Sequence, residues 1–370
     1  MNLALWTYLL VVICGGLSAA HANPLKKSVH VIPATVSSGT SVAQFVSGSD
    51  ALDGPMVAPV NASAFDWWYF DVVSEDYQNS MVIIFFTTPN TSFPFTASST
   101  DILEVIMTAQ TPDDATFYDG GAFATEAIVM TDGNGASGVW EDTGFSFVGD
   151  ADLSRFEVFV DAPSIDAVGS IVFESIAPAH YPCSAIGEDV DLQLFPHLGW
   201  ANAIPDAKTT VNFKLAGVDI NYTGVGYHDK NWANKPFQDM VDSWYWGHGR
   251  VGPYSVVWFD ALLLDGNEYT SGYVAQDGEI LGINCSGVSV RPTGDNSTYP
   301  PLSSTGNPSG YAIQIDLGTI GIFEAALTPE NILLDTDVYR RFTGPLVGGF
   351  QGSTTYNGTS LLEQFSLSDS

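Results

Sequence analysis

The rhythm of this chain narrows its fold more than any other feature. Short runs rich in Val, Ile, Thr, Phe, Tyr and Trp alternate with Gly, Pro, Asn and Asp turn signals, and a 3.6-residue apolar period is almost absent. A soluble helix needs an apolar stripe at that period, whereas strands need only short β-branched or aromatic runs between turns. The expectation is therefore an all-β protein of the sandwich or barrel kind. Met81 to Thr87 is one such run, and Phe156 to Val160 pairs naturally with Ser170 to Ile176. A strand at Ile128 to Met130 and another near Val139 flank an Asp-Gly-Asn-Gly turn. Thr210 to Leu215 and Val218 to Gly224 are joined by Ala216-Gly217, a hairpin signal. Tyr254 to Leu263, Glu268 to Gln276 and Glu279 to Asn284 read as a meander turning at Asp265-Gly266 and Asp277-Gly278. Tyr311 to Leu317, Gly321 to Leu327 and Leu361 to Leu367 complete the strands. The Ser-, Thr-, Pro- and Asn-rich Pro292 to Pro308 reads as an exposed loop, and a short helix is expected near Pro236 to Asp242.

The N-terminus reads as a secretory leader over residues 1–22. Leu3 to Leu17 is apolar, and Ala20-His21-Ala22 supplies a small-x-small cleavage pattern, although no Lys or Arg precedes the apolar run. That run is shorter than the ~20 residues a membrane span needs; an anchoring helix is the alternative. No later segment is long and apolar enough to span. The ~350 residues that remain can fill one large core or two ordinary ones. A boundary fits near Ala203-Ile204-Pro205-Asp206, giving an N-terminal β domain over 23–205 and a C-terminal β-barrel over 206–370.

Cys14 would leave with the leader. Cys183 and Cys285 remain, an even count in an oxidising route, and the expected bridge would close a loop of about 100 residues; two buried thiols are the alternative. Asn-x-Ser/Thr acceptors occur at Asn61, Asn90, Asn221, Asn284, Asn296 and Asn357. The net charge of −31, from 42 acidic against 11 basic residues, would repel phosphate backbones and anionic membrane surfaces. A nucleic-acid partner is therefore not expected.

Familiar catalytic signatures are missing. There is no G-x-S-x-G elbow, H-E-x-x-H helix, P-loop or dinucleotide fingerprint, and His180, His197, His228 and His248 lack metal-ligand spacing, so no metal is expected. Three aromatic clusters stand out instead: Phe65-Asp66-Trp67-Trp68-Tyr69-Phe70-Asp71; Tyr227-His228-Asp229-Lys230-Asn231-Trp232; and Trp244-Tyr245-Trp246-Gly247-His248 with Trp258-Phe259-Asp260. Such side chains line apolar ligand sites, or else pack a core. Four polar residues between Tyr227 and Trp232 need partners if they are buried.

The runs FDWWYFD, GWANAIP, GVGYHDKNWAN and SWYWGHGRVGPYSVVWFDAL, spread from about Phe65 to Asp260, resemble the lipocalin-like family of carotenoid 1,2-hydratases and fungal Diels-Alderases. The resemblance implies two tandem lipocalin-like β domains, an N-terminal β-sandwich and a C-terminal β-barrel, with a ligand site between them and no cofactor. The hydratases place His before the Asn-Trp of this motif and Tyr two residues before a proton-donating Asp; Lys230 and Trp258 stand at those positions here. Lys is a poor replacement for a His poised near neutral pH, which moves the reading to the pericyclase branch. That branch implies a cofactor-free [4+2] cycloaddition on an apolar polyketide or terpenoid. The leader tilts the choice toward hetero-Diels-Alderases of tropolone-sesquiterpenoid routes over decalin-forming enzymes. The residues expected to act are Lys230, Asp260, His228, Asp229 and Arg340, the last matching a late basic residue of the decalin enzymes. Trp67, Trp68, Tyr69, Tyr227, Trp232, Trp244 and Trp246 are expected around the substrate. The rival readings are a non-catalytic carrier, a hydratase or dehydratase working through Asp260, and a carbohydrate-binding sandwich.

Overall fold

The structure, a computed structural model, describes residues 27–48, 50–112 and 114–368. The proposed leader and Cys14 lie outside the described residues. Two antiparallel sheets carry almost everything. The first has 15 strands and curls into a half-barrel; the second has 10 and forms a nearly closed barrel. No helix among the described residues is long and apolar enough to cross a membrane.

Local sequence sets the hairpins. Ala216 and Gly217 both take positive φ (49° and 81°), as do Asp277 and Gly278 (51° and 83°). Two successive left-handed residues are what a tight turn between right-twisted strands requires. The segment Pro236 to Asp242, expected as a helix, holds only a single 3-10 turn at Phe237–Asp239. So short a segment cannot offset helix nucleation, and burial of Phe237 fixes the turn instead.

The suggested boundary at Ala203 to Asp206 falls inside the strand Leu198–Leu215 of the first sheet. Its pairing register slips on both sides of Ile204, between Asn202 and Ala207. Pro205 has no N–H for the ladder, so it produces an irregularity within a strand rather than a linker. The chain passes from one sheet to the other between Ala233 and Val241.

The strand Phe65–Ser74 explains where the cores sit. Every residue in it is buried. Trp68, Phe70 and Val72 pack inside the first unit, whereas Phe65, Trp67, Tyr69 and Val73 pack against the second sheet. Val241–Val251 mirrors this: Trp244 and Trp246 face the first sheet, Tyr245 and Val251 the interior of the barrel. Strands buried on both faces read as continuous apolar runs, which is why FDWWYF and SWYW carry aromatics at consecutive positions. Polar clamps join the sheets across this middle layer. His248 Nε2 meets Asp71 at 2.9 Å, and Arg250 grips Asp206 through Nε (3.0 Å) and Nη2 (2.5 Å). Cys183, in a short hairpin of the first sheet, is disulfide-bonded to Cys285, which follows the strand Glu279–Asn284 of the second.

Candidate functional site

Strand parity sorts the GYHDKNW motif into two groups. His228, Lys230 and Trp232 point into the core of the first unit. Lys230 Nζ donates to Asp66 Oδ1 at 2.5 Å and lies 3.9 Å from the centre of the Trp68 ring. Burial raises the Asp66 carboxyl above its ordinary range, and Lys230 opposes that rise. His228 stacks on Phe70 at 3.8 Å, donates through Nδ1 to the Tyr69 carbonyl at 2.9 Å, and sets Nε2 3.1 Å from Asp53 Oδ1. The indoles of Trp68 and Trp232 donate to the carbonyls of Asp53 (2.8 Å) and Gln44 (2.6 Å). These groups pair with one another, with Asp53 Oδ2 left over, and tie Gln44 and Asp53 to the sheet.

Tyr227 and Asp229 face the other way, into the layer between the sheets. Asp229 Oδ2 accepts from Trp200 Nε1 and Tyr227 Oη, each at 2.7 Å, and Asn202 Nδ2 donates to the same Tyr227 oxygen at 2.9 Å. Burial pushes the Asp229 carboxyl up to about 7 despite those two bonds. Tyr227 stacks on His248 at 4.4 Å. Asp260 and Arg340 occupy neither place, since both point into the second barrel. Asp260 Oδ2 accepts from Val290 N (2.8 Å) and Arg291 Nη1 (2.6 Å), and burial holds its carboxyl up at about 7. Arg340 Nε donates to Asp335 at 3.1 Å. The five residues expected to act together are thus distributed over three separate environments.

Between the sheets lies a cavity of about 240 Å³. Trp67, Phe86 and Phe93 wall it from the first sheet and its neighbouring loop, and Trp244, Leu334 and Phe365 wall it from the second. Trp67 and Phe93 are 4.7 Å apart, while Trp244 stands perpendicular to Phe365 at 5.0 Å. One region of the wall is polar. Arg341 Nε donates to Glu363 Oε1 (2.7 Å), Arg341 Nη2 reaches Tyr339 Oη (2.5 Å), and Tyr339 Oη donates to the same Glu363 oxygen (2.8 Å). Tyr69 completes the polar wall, its ring centre 5.7 Å from the Arg341 guanidinium. The Tyr69 hydroxyl and the Trp244 indole N–H are buried without a hydrogen-bond partner. Burial, with Asp71 nearby, drives the Tyr69 hydroxyl well above its ordinary range, so it stays protonated and free to donate.

Of the aromatics expected around a substrate, Trp67, Tyr69 and Trp244 line the cavity. Trp246 stands behind Tyr69 (5.1 Å) and against Tyr227 (5.2 Å); Trp68 and Trp232 belong to the core of the first unit. Sequence reasoning missed Arg341, Glu363 and Tyr339. A usable signal existed: Glu363 is a lone acid inside the apolar run LLEQF, and a buried carboxylate demands a cation.

A family model described as Diels-Alderase-like matches residues 28–293. A quinolone epoxide rearrangement protein of Emericella nidulans is 35% identical over 356 residues, spanning 95% of this chain and 97% of that protein. A Diels-Alderase of Chaetomium globosum is 24% identical over 336 residues, 85% of this chain and 77% of its own length. Among solved structures, CghA with Sch210972 superposes with a TM-score of 0.73 at 18% identity, covering 92% of this chain and 99% of that one.

Proposed function

Because this chain belongs to the Diels-Alderase-like family, we propose that it is an enzyme that isomerises a small, largely apolar substrate by rearranging an epoxide in the cavity between the sheets. The observation that carries this reading is the unpartnered Tyr69 hydroxyl, set beside Arg341 and Glu363 in a largely apolar chamber. Near-full-length similarity to a quinolone epoxide rearrangement protein supports the choice of reaction.

The chemistry follows from the wall. Tyr69 hydrogen-bonds the epoxide oxygen, and the Arg341 charge behind it stabilises the negative charge that develops as one C–O bond breaks. The carbon left electron-poor sits among aromatic faces, which attract positive charge. A neighbouring bond then shifts, or a C–H proton passes to Glu363 and on to the oxygen. The product has the mass of the substrate, because no atom enters or leaves. A second reading, a [4+2] cycloaddition, draws on the family relationship and on the aromatic walls, which can hold diene and dienophile in one reactive fold; Tyr69 would then polarise the dienophile carbonyl.

The experiment incubates purified protein separately with an aryl-quinolone epoxide and with a linear polyene bearing a carbonyl dienophile, following products by chromatography and mass. Catalysed formation of an isomer from the epoxide supports the first reading. Ring formation from the polyene alone supports the second. Binding of both without turnover sinks both readings and leaves a carrier.

A further inference from the structure

We infer that the second barrel carries a ligand site of its own, beneath the loop of residues 294–309, for a small neutral carbonyl compound. Arg340 and Arg341 leave one strand on opposite faces: Arg341 serves the cavity between the sheets, and Arg340 enters the barrel. There, cross-strand pairing sets Asp260 beside Tyr245, Tyr245 beside Gln364, and Gln364 beside Arg340. The result is a polar row across four neighbouring strands. Buried polar side chains ordinarily satisfy one another, and part of this row does so. Tyr311 Oη donates to Gln364 Oε1 at 2.7 Å, Arg340 Nε to Asp335 at 3.1 Å, and Arg291 Nη1 to Asp260 at 2.6 Å. Three donors and one acceptor, Asp260 Oδ1, remain over. Tyr245 Oη, Arg340 Nη1 and, one layer deeper, Trp258 Nε1 are buried with no partner, in residues only 1%, 6% and 0% exposed.

The loop roofs this row. Tyr299 Oη donates to Glu268 at 2.5 Å, and its ring lies 6.3 Å from that of Tyr245 and 3.9 Å from the Arg291 guanidinium. Asn307 Nδ2 donates to Asp335 at 3.0 Å, while its buried Oδ1 is unpartnered. Charge decides the class of ligand. Arg291 is matched by Asp260 and Glu268, and Arg340 by Asp335, so no cation is left over to recruit an anion. A wall with three free donors and no net positive charge suits a neutral acceptor, the carbonyl of a ketone, ester or amide, and Asp260 Oδ1 and Asn307 Oδ1 add places for an amide N–H. The mouth of a β-barrel is a common ligand position.

The test titrates δ-valerolactam into the full-length protein by ligand-observed NMR. Saturable binding is expected, weakened ~10-fold or more in Tyr245→Phe and in Arg340→Met, as loss of a buried hydrogen bond to a ligand implies. Tyr245→Phe removes one oxygen from a ring that keeps its packing, so the test stands even where Arg340→Met fails to fold. Absence of saturable binding, or equal binding by Tyr245→Phe, overturns the inference and leaves these donors to ordered water.

Discussion

Tyr69→Phe should move stability and activity in opposite directions. The substitution deletes one oxygen from a residue only 4% exposed, and that oxygen has no hydrogen-bond partner. An unsatisfied buried polar group costs about 1–3 kcal/mol, so removing it should leave the free protein as stable as before or more so. For a chain of this size each kcal/mol shifts Tm by roughly 1–2 °C. The ring survives and keeps its edge-on contact with Trp246 at 5.1 Å, so no cavity opens to offset the gain. If Tyr69 binds the oxygen on which charge develops, kcat should fall by about 10²–10³, the usual loss for one such donor. The assays are a thermal melt of the ligand-free protein and initial rates on an aryl-quinolone epoxide, with kcat and KM separated. A Tm lowered by several degrees would show that the hydroxyl is bonded in the free protein. An unchanged kcat would remove Tyr69 from the reaction. Arg341→Met discriminates less well, because it strands the buried Glu363 carboxylate and lowers both quantities together.

Lys230→Met should destabilise by up to about 3–5 kcal/mol, since it leaves the Asp66 carboxyl buried without its cation, and the double variant Lys230→Met/Asp66→Leu should recover much of that loss; urea denaturation measures both. A double variant no more stable than the single one would show that the pair is not the cause. Burial holds the Asp229 carboxyl up at about 7 in the folded chain, against 3.8 for an ordinary aspartate, so between those values the folded state binds more protons than the unfolded one. Its contribution to stability therefore falls as pH rises through that window and levels off above it. Asp229→Asn should flatten the decline in urea midpoint between pH 5 and pH 8 relative to the parent, and an identical decline would refute the assignment. Breaking Cys183–Cys285, which closes a separation of 102 residues, should cost about 4–5 kcal/mol in the chain-entropy model, read as a lower urea midpoint in Cys183→Ser/Cys285→Ser. Asn221, Asn296 and Asn357 are exposed, so if the chain enters the secretory pathway an endoglycosidase should lower its apparent mass; an unshifted band and an intact Met1 would exclude that route.

The sequence by itself determined the strands, the hairpin turns and the family. Those are local properties: Ala216-Gly217 and Asp277-Gly278 specify tight turns whatever surrounds them, and the runs around Trp67, Lys230 and Trp244 carry the resemblance as strings. Of the aromatics it singles out, Trp67, Tyr69 and Trp244 line the cavity. Only the tertiary structure decided which face each residue takes. Period-2 alternation can be read when one face is wet, because polar residues then mark it. Phe65–Ser74, Val241–Val251 and Tyr339–Phe350 are buried on both sides for most of their length, so both parities look like core. Lys230 and Asp229 differ by one position and lie on opposite faces of one sheet; so do Arg340 and Arg341. Which of Arg340 and Arg341 faces the cavity is a matter of parity that the letters cannot settle, and the same ambiguity hides that Trp68 and Trp232 point into the core of the first sheet. Pro205 shows the limit at the level of architecture. A proline in a run of small residues reads as a linker, and only the pairing of Leu198–Leu215 with Val218–Ala233 on both sides of Pro205 shows the strand continuing through it, because that neighbour supplies the hydrogen bonds that hold the chain extended on either side.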